Sequence, residues 1–262
     1  MATRSNSLVS RWWKGIRALP SGDKRPAYES RLATRPDDVR AAQMLRFTVF
    51  NLELNEGLAQ SFTTGLDADP FDEVCDHLVV EELQTHQVVG TYRLQTGQTA
   101  AAKRGYYSEQ EFDFSPYEPL RGQLLELGRA CVHKDHRNLA VLNLLWKGVA
   151  AYARERGARY LIGCSSLTSQ DPLEGASMYA ELQRKHLAKP EWRTVPLPAL
   201  ACPLERLAAQ PSKVPKLLAA YLSFGAKICG PPAIDREFKT IDFLTFLDLQ
   251  SLSARTVARY LS

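Results

Sequence analysis

The chain has 262 residues, of which 45% are hydrophobic and 24% are charged, and its formal net charge is +4. This length and composition predict a globular protein of one large or two small domains, with enough apolar residues for a core. No apolar run approaches the ~20 residues that span a bilayer and no secretory signal is recognisable, so the sequence predicts a cytoplasmic protein.

The positive charge is concentrated in an N-terminal arm, residues 1–35, which holds eight of the 33 basic and two of the 29 acidic residues. Leu8, Trp12, Ile16 and Leu19 recur there at helical spacing with basic residues between them. This pattern is typical of a helix lying in an anionic membrane interface, so we consider peripheral membrane contact through residues 1–30. A helix docked on the domain, or a frayed terminus, remains open. Nucleic-acid binding is not expected, because no recognised module is present.

The first clear element is a helix in "RPDDVRAAQMLRFTVFNLEL", with Asp37 or Asp38 as its N-cap. Its apolar stripe comprises Val39, Ala42, Leu45, Val49 and Leu52. Arg46, Phe50 and Glu53 form a second stripe, for which a solvated charged face is the usual interpretation, although Phe50 fits it poorly.

Strands and further helices follow in order. The runs "HLVVEEL" and "HQVVGTYRLQ" predict an antiparallel hairpin, residues 96–122 read as loop with short helical pieces, and "LLELGRACV" predicts a strand. "NLAVLNLLWKGVAAYARERG" predicts a helix that stops at Gly157, "ARYLIGCSSL" a buried strand, and "EGASMYAELQRKH" another helix. The Pro-interrupted stretch 189–216 resists assignment, and "GAKICG" and "TIDFLTFLDL" read as two final strands.

This order predicts an α/β (α+β) fold in which a mixed central sheet is flanked by helices. The expected organisation is the arm at 1–35, a single domain at 36–250 with an insertion at about 189–216, and a C-terminal tail at 251–262.

Four segments in order, "VRAAQMLRFTVFNLEL", "DPFDEVCDHLVV", "VVGTYRL" and "LLELGRACVHKDHRN", resemble the acyl carrier protein-dependent N-acyltransferases of the GNAT superfamily. The resemblance is closest to the L-ornithine Nα-acyltransferases, often labelled hemolysin-like, and more distant to the acyl-homoserine-lactone synthases. It runs from about Val39 to Asn138 and extends to about residue 250. It implies a GNAT-like fold with a bulged strand at the acyl-donor site.

The resemblance also implies site residues. Those that match the synthases' motifs are Arg46, Phe50, Asp69, Asp72 and Arg93 on the substrate side, with Glu126 and Arg129 as the catalytic pair. Arg93 or Arg129 is expected to bind the carboxylate of ornithine, and Asp69 or Asp72 its side-chain ammonium. The synthases also carry a tryptophan soon after the phenylalanine; "NLELNEGL" has none, which speaks against homoserine-lactone synthesis.

Glu126 and Arg129 are separated by an odd spacing that should place them on opposite faces of a strand. A bulge at Gly128 would return both to one face and offer unpaired N–H groups to a thioester carbonyl. Glu126, buried among leucines, would have a raised pKa and accept the proton of the attacking amine. The alternative is a purely structural salt bridge of Glu126 with Arg129 or Arg93.

The five cysteines form no close pair, so neither a disulfide framework nor a zinc site is expected. Cys131 lies near the implied donor site, but no base for its thiol is identifiable, and a buried free cysteine is the better interpretation. His133 and His136 form only a weak HxxH pattern, so no metal site and no tightly bound cofactor are predicted.

Coenzyme A-dependent members of the superfamily carry a Gly-rich loop that cradles a pyrophosphate at a helix N-terminus. The corresponding segment here, residues 137–142, lacks both glycines. Acyl carrier protein is therefore the expected donor, as an acyl-phosphopantetheine thioester, and the donor-side residues are Gly128, Cys131, Lys134, His136 and Arg137. The basic members could equally be solvated charges.

The predicted function is transfer of a long-chain, 3-hydroxylated acyl group from acyl carrier protein to the α-amine of L-ornithine, giving lyso-ornithine lipid. The chain length and hydroxyl come from the resemblance alone. The alternatives are an N-acyl amino acid synthase with another acceptor such as glycine, an enzyme closer to the acyl-homoserine-lactone synthases, or a non-catalytic acyl or lipid binding module.

Overall fold

The computed structural model describes residues 27–210 and 212–260. The strands are β1 (Tyr28–Leu32), β2 (Asp76–Glu82), β3 (Gln87–Thr96), β4 (Leu124–Val132), β5 (Tyr160–Leu167), β6 (Lys227–Ile228), β7 (Ala233–Asp235) and β8 (Thr240–Asp248). The α-helices are α1 (Pro36–Arg46), α2 (Ser61–Thr64), α3 (Gly97–Ala102), α4 (Leu139–Glu155), α5 (Pro172–His186), α6 (Lys216–Ser223) and α7 (Ala254–Tyr260).

One mixed sheet organises these elements, as the sequence predicted. Its strand order is β1-β2-β3-β4-β5-β8-β6, with β7 also paired to β8. All described pairs are antiparallel except β4 with β5. Sequence reasoning missed β1, which lies inside the segment assigned to the arm, and also missed β7 and α6.

The helix that begins the domain differs from the prediction in two ways. Its N-cap is Arg35, because Pro36 fixes the first helical turn, and Asp38 instead reaches back to the backbone N–H groups of Thr34 and Arg35 at 3.2 Å. After α1 the chain continues as a π-helix over Phe47–Glu53. A π-helix has more residues per turn than an α-helix, so Leu52, predicted in the apolar stripe, is 60% exposed.

The predicted hairpin is confirmed as β2 and β3, and the predicted loop at 96–122 contains α3 and two 3-10 turns. Helix α4 ends just before Gly157, as predicted, and Gly157 adopts the left-handed region; Asn138 caps the other end of the helix. The segment 189–216 contains a 3-10 turn at Pro190–Trp192 and otherwise mainly irregular chain.

Strands β4 and β5 separate after a short parallel contact. Residues 124–126 pair with residues 160–162, and β4 has no β5 partner beyond Glu126. Gly163 makes the close approach at the point of separation possible, because a Cβ there would lie 2.2 Å from the carbonyl oxygen of Leu127. The separation leaves a cleft between the two strands.

Apolar clusters cover both faces of the sheet beside this cleft. On one face Leu145 and Val149 of α4 pack with sheet residues such as Leu94. On the other face the loop 96–122 supplies Phe112 and Tyr117, which pack with Phe246. The cleft therefore lies between two rigid layers.

The C-terminal tail predicted at 251–262 contains α7, which packs back on α4. Tyr260 contacts the ring of Trp146, and Arg259 donates to Asn143 at 2.9 Å. In residues 27–210 and 212–260, no helix combines the length and the apolar character needed to cross a bilayer. Residues 1–26, most of the predicted arm, lie outside the described residues.

Candidate active site

Strand β4 is bulged, as predicted, but at Arg129 rather than at Gly128. Gly128 pairs with Arg93 and Cys131 with Thr91, so two residues of β4 lie opposite one residue of β3. Arg129 takes up the irregularity with φ +49°, an uncommon conformation for a residue with a Cβ. The sequence had indicated Gly128 because this glycine lies between Glu126 and Arg129 and a glycine inside a strand often marks a bulge.

The bulge brings the Arg129 guanidinium to the Glu126 side of the sheet. Both groups contact Tyr107: the guanidinium carbon of Arg129 lies 4.7 Å from the ring centroid, and Glu126 accepts the Tyr107 backbone N–H at 2.8 Å. The bulge therefore places the side chains of Glu126 and Arg129 on one face of the sheet, as expected from the sequence. Beyond Glu126, β4 also has an edge without a strand partner facing the cleft.

Glu126 is buried and forms no ion pair with any described residue, so the structural salt bridge with Arg129 or Arg93 is not present. Its two carboxylate oxygens instead accept the backbone N–H groups of Tyr107 and Ser108, each at 2.8 Å. Burial raises the pKa of Glu126, and the hydrogen bonds from Ser108 and Tyr107 offset part of that rise. The Ser108 hydroxyl also hydrogen-bonds this carboxylate, which keeps one remaining lone pair for an amine or a water molecule.

A buried network of three arginines and three aspartates lies beside Glu126; its members are Arg46, Arg93, Arg129, Asp67, Asp69 and Asp72. Arg46 is completely buried and pairs with Asp67 and Asp72. Arg93 binds Asp69 at 2.6 Å and Asp72 at 3.0 Å, and Arg129 binds Asp69 at 3.0 Å. The formal charges of this arginine–aspartate network balance.

The network satisfies the two aspartates that the sequence assigned to the substrate ammonium. All four carboxylate oxygens of Asp69 and Asp72 accept hydrogen bonds from arginine, glutamine or backbone donors. Burial alone would raise the pKa of Asp72, but Arg46 and Arg93 outweigh it and hold that pKa below its usual range. Asp69 and Asp72 therefore organise the arginines, and a cationic ligand would have to compete with these arginines for the two carboxylates.

The cleft contains a cavity of about 970 Å³. Glu126, Phe50, Arg93 and the whole of β4 beyond Glu126 line it, together with the first residues of α6. Much of the wall is apolar and includes Leu54, Leu142, Leu145, Leu217, Leu218 and Tyr221. A cavity of this size and character suits a small polar reactant attached to an apolar chain.

Two further side chains of the cavity wall, Cys164 and Asp242, lie beside a buried acid, Glu111, that is not itself part of the wall. Ligand atoms of Glu111, Cys164 and Asp242 are all within 4.8 Å of one another. Burial, and then each other's proximity, raise the pKa of Glu111 well above its usual value, and burial raises the pKa of Asp242 to about 6. Ser108 connects this group to Glu126, because its hydroxyl accepts the Cys164 thiol at 3.4 Å.

The predicted donor-side residues form two groups. Cys131 lines the cavity beside Leu45 and Val49, and burial raises the pKa of its thiol, which keeps it protonated and unsuited to nucleophilic attack. His136 turns away toward the hydroxyl of Tyr28 at 3.1 Å. His133 and His136 form no metal-ligand group with other described residues.

Lys134 and Arg137 lie exposed at the cavity mouth, in the turn before α4. Arg137 is paired with Glu53 through two hydrogen bonds, so its charge is largely neutralised. The side chain of Asn138 accepts the N–H groups of Ala140 and Val141 at 2.9 and 3.1 Å. The first turn of α4 therefore already has an internal acceptor where a pyrophosphate would bind.

Sequence reasoning missed Asp67, Ser108, Glu111, Cys164 and Asp242. Asp242 had a detectable signal, since it is a carboxylate in the otherwise apolar strand "TIDFLTFL". Glu111 had none, because it lies in an irregular loop whose path only the folded structure defines.

Comparison with known proteins gives the same fold and identifies relatives. The profile of the Acetyltransferase (GNAT) domain matches residues 45–147. The N-acyl amino acid synthase FeeM from uncultured soil microbes superposes with a TM-score of 0.53 at 13% identity, covering 88% of this chain and 94% of that one. The AHL synthase LasI superposes with a TM-score of 0.50 at 10% identity, covering 90% and 95%. At sequence identities this low, the structural similarity shows only that the fold is shared.

Sequence relatives are more specific. An L-ornithine N(alpha)-acyltransferase of Agrobacterium fabrum is 35% identical over 247 residues, which cover 88% of this chain and 84% of that protein. A protein of the same name from Rhodobacter capsulatus is 34% identical, with 87% and 93% coverage. This chain is therefore an acyltransferase with a GNAT-like fold, and it belongs to the L-ornithine N(alpha)-acyltransferase family.

Proposed function

We propose that this protein transfers a long-chain, 3-hydroxylated acyl group from acyl carrier protein to the α-amine of L-ornithine and so makes lyso-ornithine lipid. The observation that carries the proposal is the juxtaposition of buried Glu126, the bulged free edge of β4 and one large cavity with an apolar wall. The relatives named L-ornithine N(alpha)-acyltransferase support ornithine as the acceptor. The hydroxyl group and the chain length rest on the family resemblance.

In the proposed reaction the neutral α-amine attacks the thioester carbonyl. Backbone N–H groups on the free edge of β4 stabilise the developing oxyanion, and Glu126 accepts the proton that the amine loses, directly or through water. Collapse of the tetrahedral intermediate forms the amide, and the phosphopantetheine sulfur leaves and is protonated. The arginine–aspartate network holds Tyr107 and the bulge in position, since Arg93 and Arg129 both lie against the Tyr107 ring.

Two features support a carrier protein rather than coenzyme A as donor. The segment before α4 has no glycine, and the Asn138 side chain occupies the first free N–H groups of α4. A carrier protein presents a single phosphodiester, which needs one cation at the cavity mouth rather than a backbone cradle. Lys134 is exposed there and takes part in no ion pair among the described residues.

Mass spectrometry of lipids from cells expressing the protein tests the acceptor and the acyl chain together. The expected product is an ornithine amide of a 3-hydroxy fatty acid. Assays of the purified enzyme then separate the choice of donor from the choice of acceptor. The donors are acylated acyl carrier protein and acyl-CoA of equal chain length, and each is tested with ornithine and with glycine. Acylation of glycine but not ornithine, or equal use of the two donors, would contradict the corresponding half of the proposal.

Charge reversal at Lys134 tests the donor surface. Lys134→Glu is expected to raise the KM for acylated acyl carrier protein by about fivefold, equivalent to ~1 kcal/mol, and to weaken the salt dependence of this KM. The KM for ornithine should stay unchanged. Lys103→Glu is the control, because Lys103 is also exposed but does not line the cavity. Arg137→Glu is a poorer probe, since it would set two carboxylates together at Glu53. Equal salt dependence in wild type and Lys134→Glu would exclude Lys134 from docking.

A truncation tests membrane contact through the arm, which we propose delivers the poorly soluble product into lipid. Residues 1–26 contain six basic residues, each attracted to an anionic surface by about 1 kcal/mol. The deletion must end at residue 26, because Tyr28 is already paired in the sheet. Deleting residues 1–26 is expected to reduce sedimentation with anionic vesicles at low salt and to spare turnover of a short-chain donor. Equal partitioning of full-length and truncated protein would rule out membrane contact by the arm.

A further inference from the structure

Glu111 and Asp242 are two carboxylates for which the reaction described above has no use. Both are 4% exposed, and both have an oxygen, Oε1 of Glu111 and Oδ1 of Asp242, that is buried without a hydrogen-bond partner. Neither side chain takes part in an ion pair anywhere in residues 27–210 and 212–260. A buried carboxyl oxygen without a donor is costly, so these two oxygens mark a place where a ligand could supply the missing donor.

The surrounding charges do not supply the missing cation. Arg129 acts electrostatically on Glu111, but its guanidinium is engaged by Asp69 inside the balanced arginine–aspartate network. Two further acids, Glu56 and Asp235, line the same cavity, and neither forms an ion pair with a described residue. This end of the cavity therefore gathers acids without a cation, and a bound cation would favour their ionised forms.

The position of the pair relative to Glu126 suggests which cation it binds. Ser108 donates its backbone N–H to Glu126 at 2.8 Å, and its hydroxyl accepts the thiol of Cys164, which also donates to Glu111 at 3.7 Å. Ser108 and Cys164 thus connect the carboxylate pair to the candidate base by hydrogen bonds. A short diamine could present one nitrogen to each.

We propose that Glu111 and Asp242 bind the side-chain ammonium of the acceptor while Glu126 faces its α-amine. The inference rests on the proposed function and extends it to the substrate class: α-amino acids whose short side chain ends in an ammonium. Binding of the ammonium would give both orphan oxygens charge-assisted hydrogen bonds and favour the ionised carboxylates. The pair then holds the side-chain amine charged and non-nucleophilic, which directs acylation to the α-amine.

Substrate comparison tests this assignment. Norvaline has the carbon chain of ornithine without the terminal amine. Wild-type enzyme is expected to prefer ornithine over norvaline in kcat/KM, and Asp242→Asn and Glu111→Gln, both nearly isosteric, are each expected to reduce that preference by about 10- to 100-fold. Norvaline turnover should be unchanged or higher in both variants. An unchanged ornithine-to-norvaline ratio would overturn the assignment.

Thermal stability separates substrate binding from a structural role. Asn and Gln cannot ionise and so avoid the desolvation cost of a buried carboxylate, and both variants are expected to melt at or above the wild-type Tm without substrate and to lose the rise in Tm that ornithine gives wild type. Asp248→Asn is the control on the same strand: Asp248 is paired with Arg159 at 2.7 Å, so this variant should lower Tm and keep the substrate preference. A lower Tm in Asp242→Asn, with equal losses on both substrates, would mark the pair as structural.

Two further outcomes are distinguishable. Stoichiometric divalent metal in purified wild-type enzyme, lost in Asp242→Asn, would overturn the ammonium assignment in favour of a metal site. Wild-type enzyme that acylates norvaline or glycine but never ornithine would refute the proposed function itself. Ornithine turnover with an unaltered preference in both variants would refute only the present inference.

Discussion

Replacing Glu126 with Gln is expected to lower kcat/KM for acyl transfer by about 10²- to 10⁴-fold, because Gln cannot accept the proton of the attacking amine. The raised pKa of Glu126 should appear in wild type as an acid limb of kcat/KM against pH, since the carboxylate must be ionised to act. That limb should be absent from the residual activity of Glu126→Gln. Steady-state kinetics across the pH range measure both effects.

The substitution also has a structural cost that must be separated from catalysis. A Gln side chain would point its NH₂ group at the backbone N–H of Tyr107 or Ser108, at a cost of about 1–3 kcal/mol. Glu109→Gln is the matched control, because Glu109 accepts the N–H of Tyr106 at 3.0 Å in the same turn but does not line the cavity. Folded Glu126→Gln with wild-type kinetics, or an equal activity loss in Glu109→Gln, would exclude Glu126 as the base.

Replacing Arg46 with Met is expected to reduce the free energy of unfolding by about 3–5 kcal/mol, because it leaves Asp67 and Asp72 buried with less compensating charge. The pKa of Asp72 is lowered in the folded protein, so the stabilisation is complete above the unfolded carboxyl pKa of about 4 and is lost as pH falls below it. Arg46→Met should therefore lose more stability at pH 7 than at acidic pH. Urea unfolding at several pH values measures this.

Arg35→Met is the control for this experiment. Arg35 is the N-cap residue of α1 and, like Arg46, pairs with an aspartate. Its side chain is 69% exposed, however, and its partner Asp38 keeps Arg31 as a second partner. Its loss is expected to cost less than ~1 kcal/mol. Adding Asp72→Asn to Arg46→Met should restore part of the lost stability, because it removes one of the uncompensated charges. Equal effects of Arg46→Met and Arg35→Met would show that burial does not govern the network.

Local sequence patterns predicted the elements whose signal lies within their own residues. The hairpin of β2 and β3, the strand β4 and the helix α4 with its stop at Gly157 were all predicted, since alternation, helical periodicity and glycine act over a few residues. The short elements β1, β7 and α6 were missed. Their formation depends on neighbours distant in sequence, as in the pairing of β1 with β2.

The π-helix illustrates a limit of periodicity. The predicted apolar stripe presupposed one helical period from Val39 to Leu52. Ala42, Leu45 and Val49 are buried, as this period predicts. The period changed after Arg46, where the buried guanidinium reaches Asp67 and Asp72. The spacing of apolar residues in the sequence does not show this change of helical period, because the change accompanies an ion pair with residues distant in the chain.

The sequence by itself determined the fold class, the family and the need for an interruption between Glu126 and Arg129, because each follows from ordered motifs or from strand geometry. Only the tertiary structure decided where the charges go. It placed the bulge at Arg129, closed Asp69 and Asp72 onto arginines, and left Glu111 and Asp242 without a cation. The physical reason is that an ion pair or an orphan carboxylate is defined by distances between residues far apart in the chain, and a sequence pattern contains no such distances.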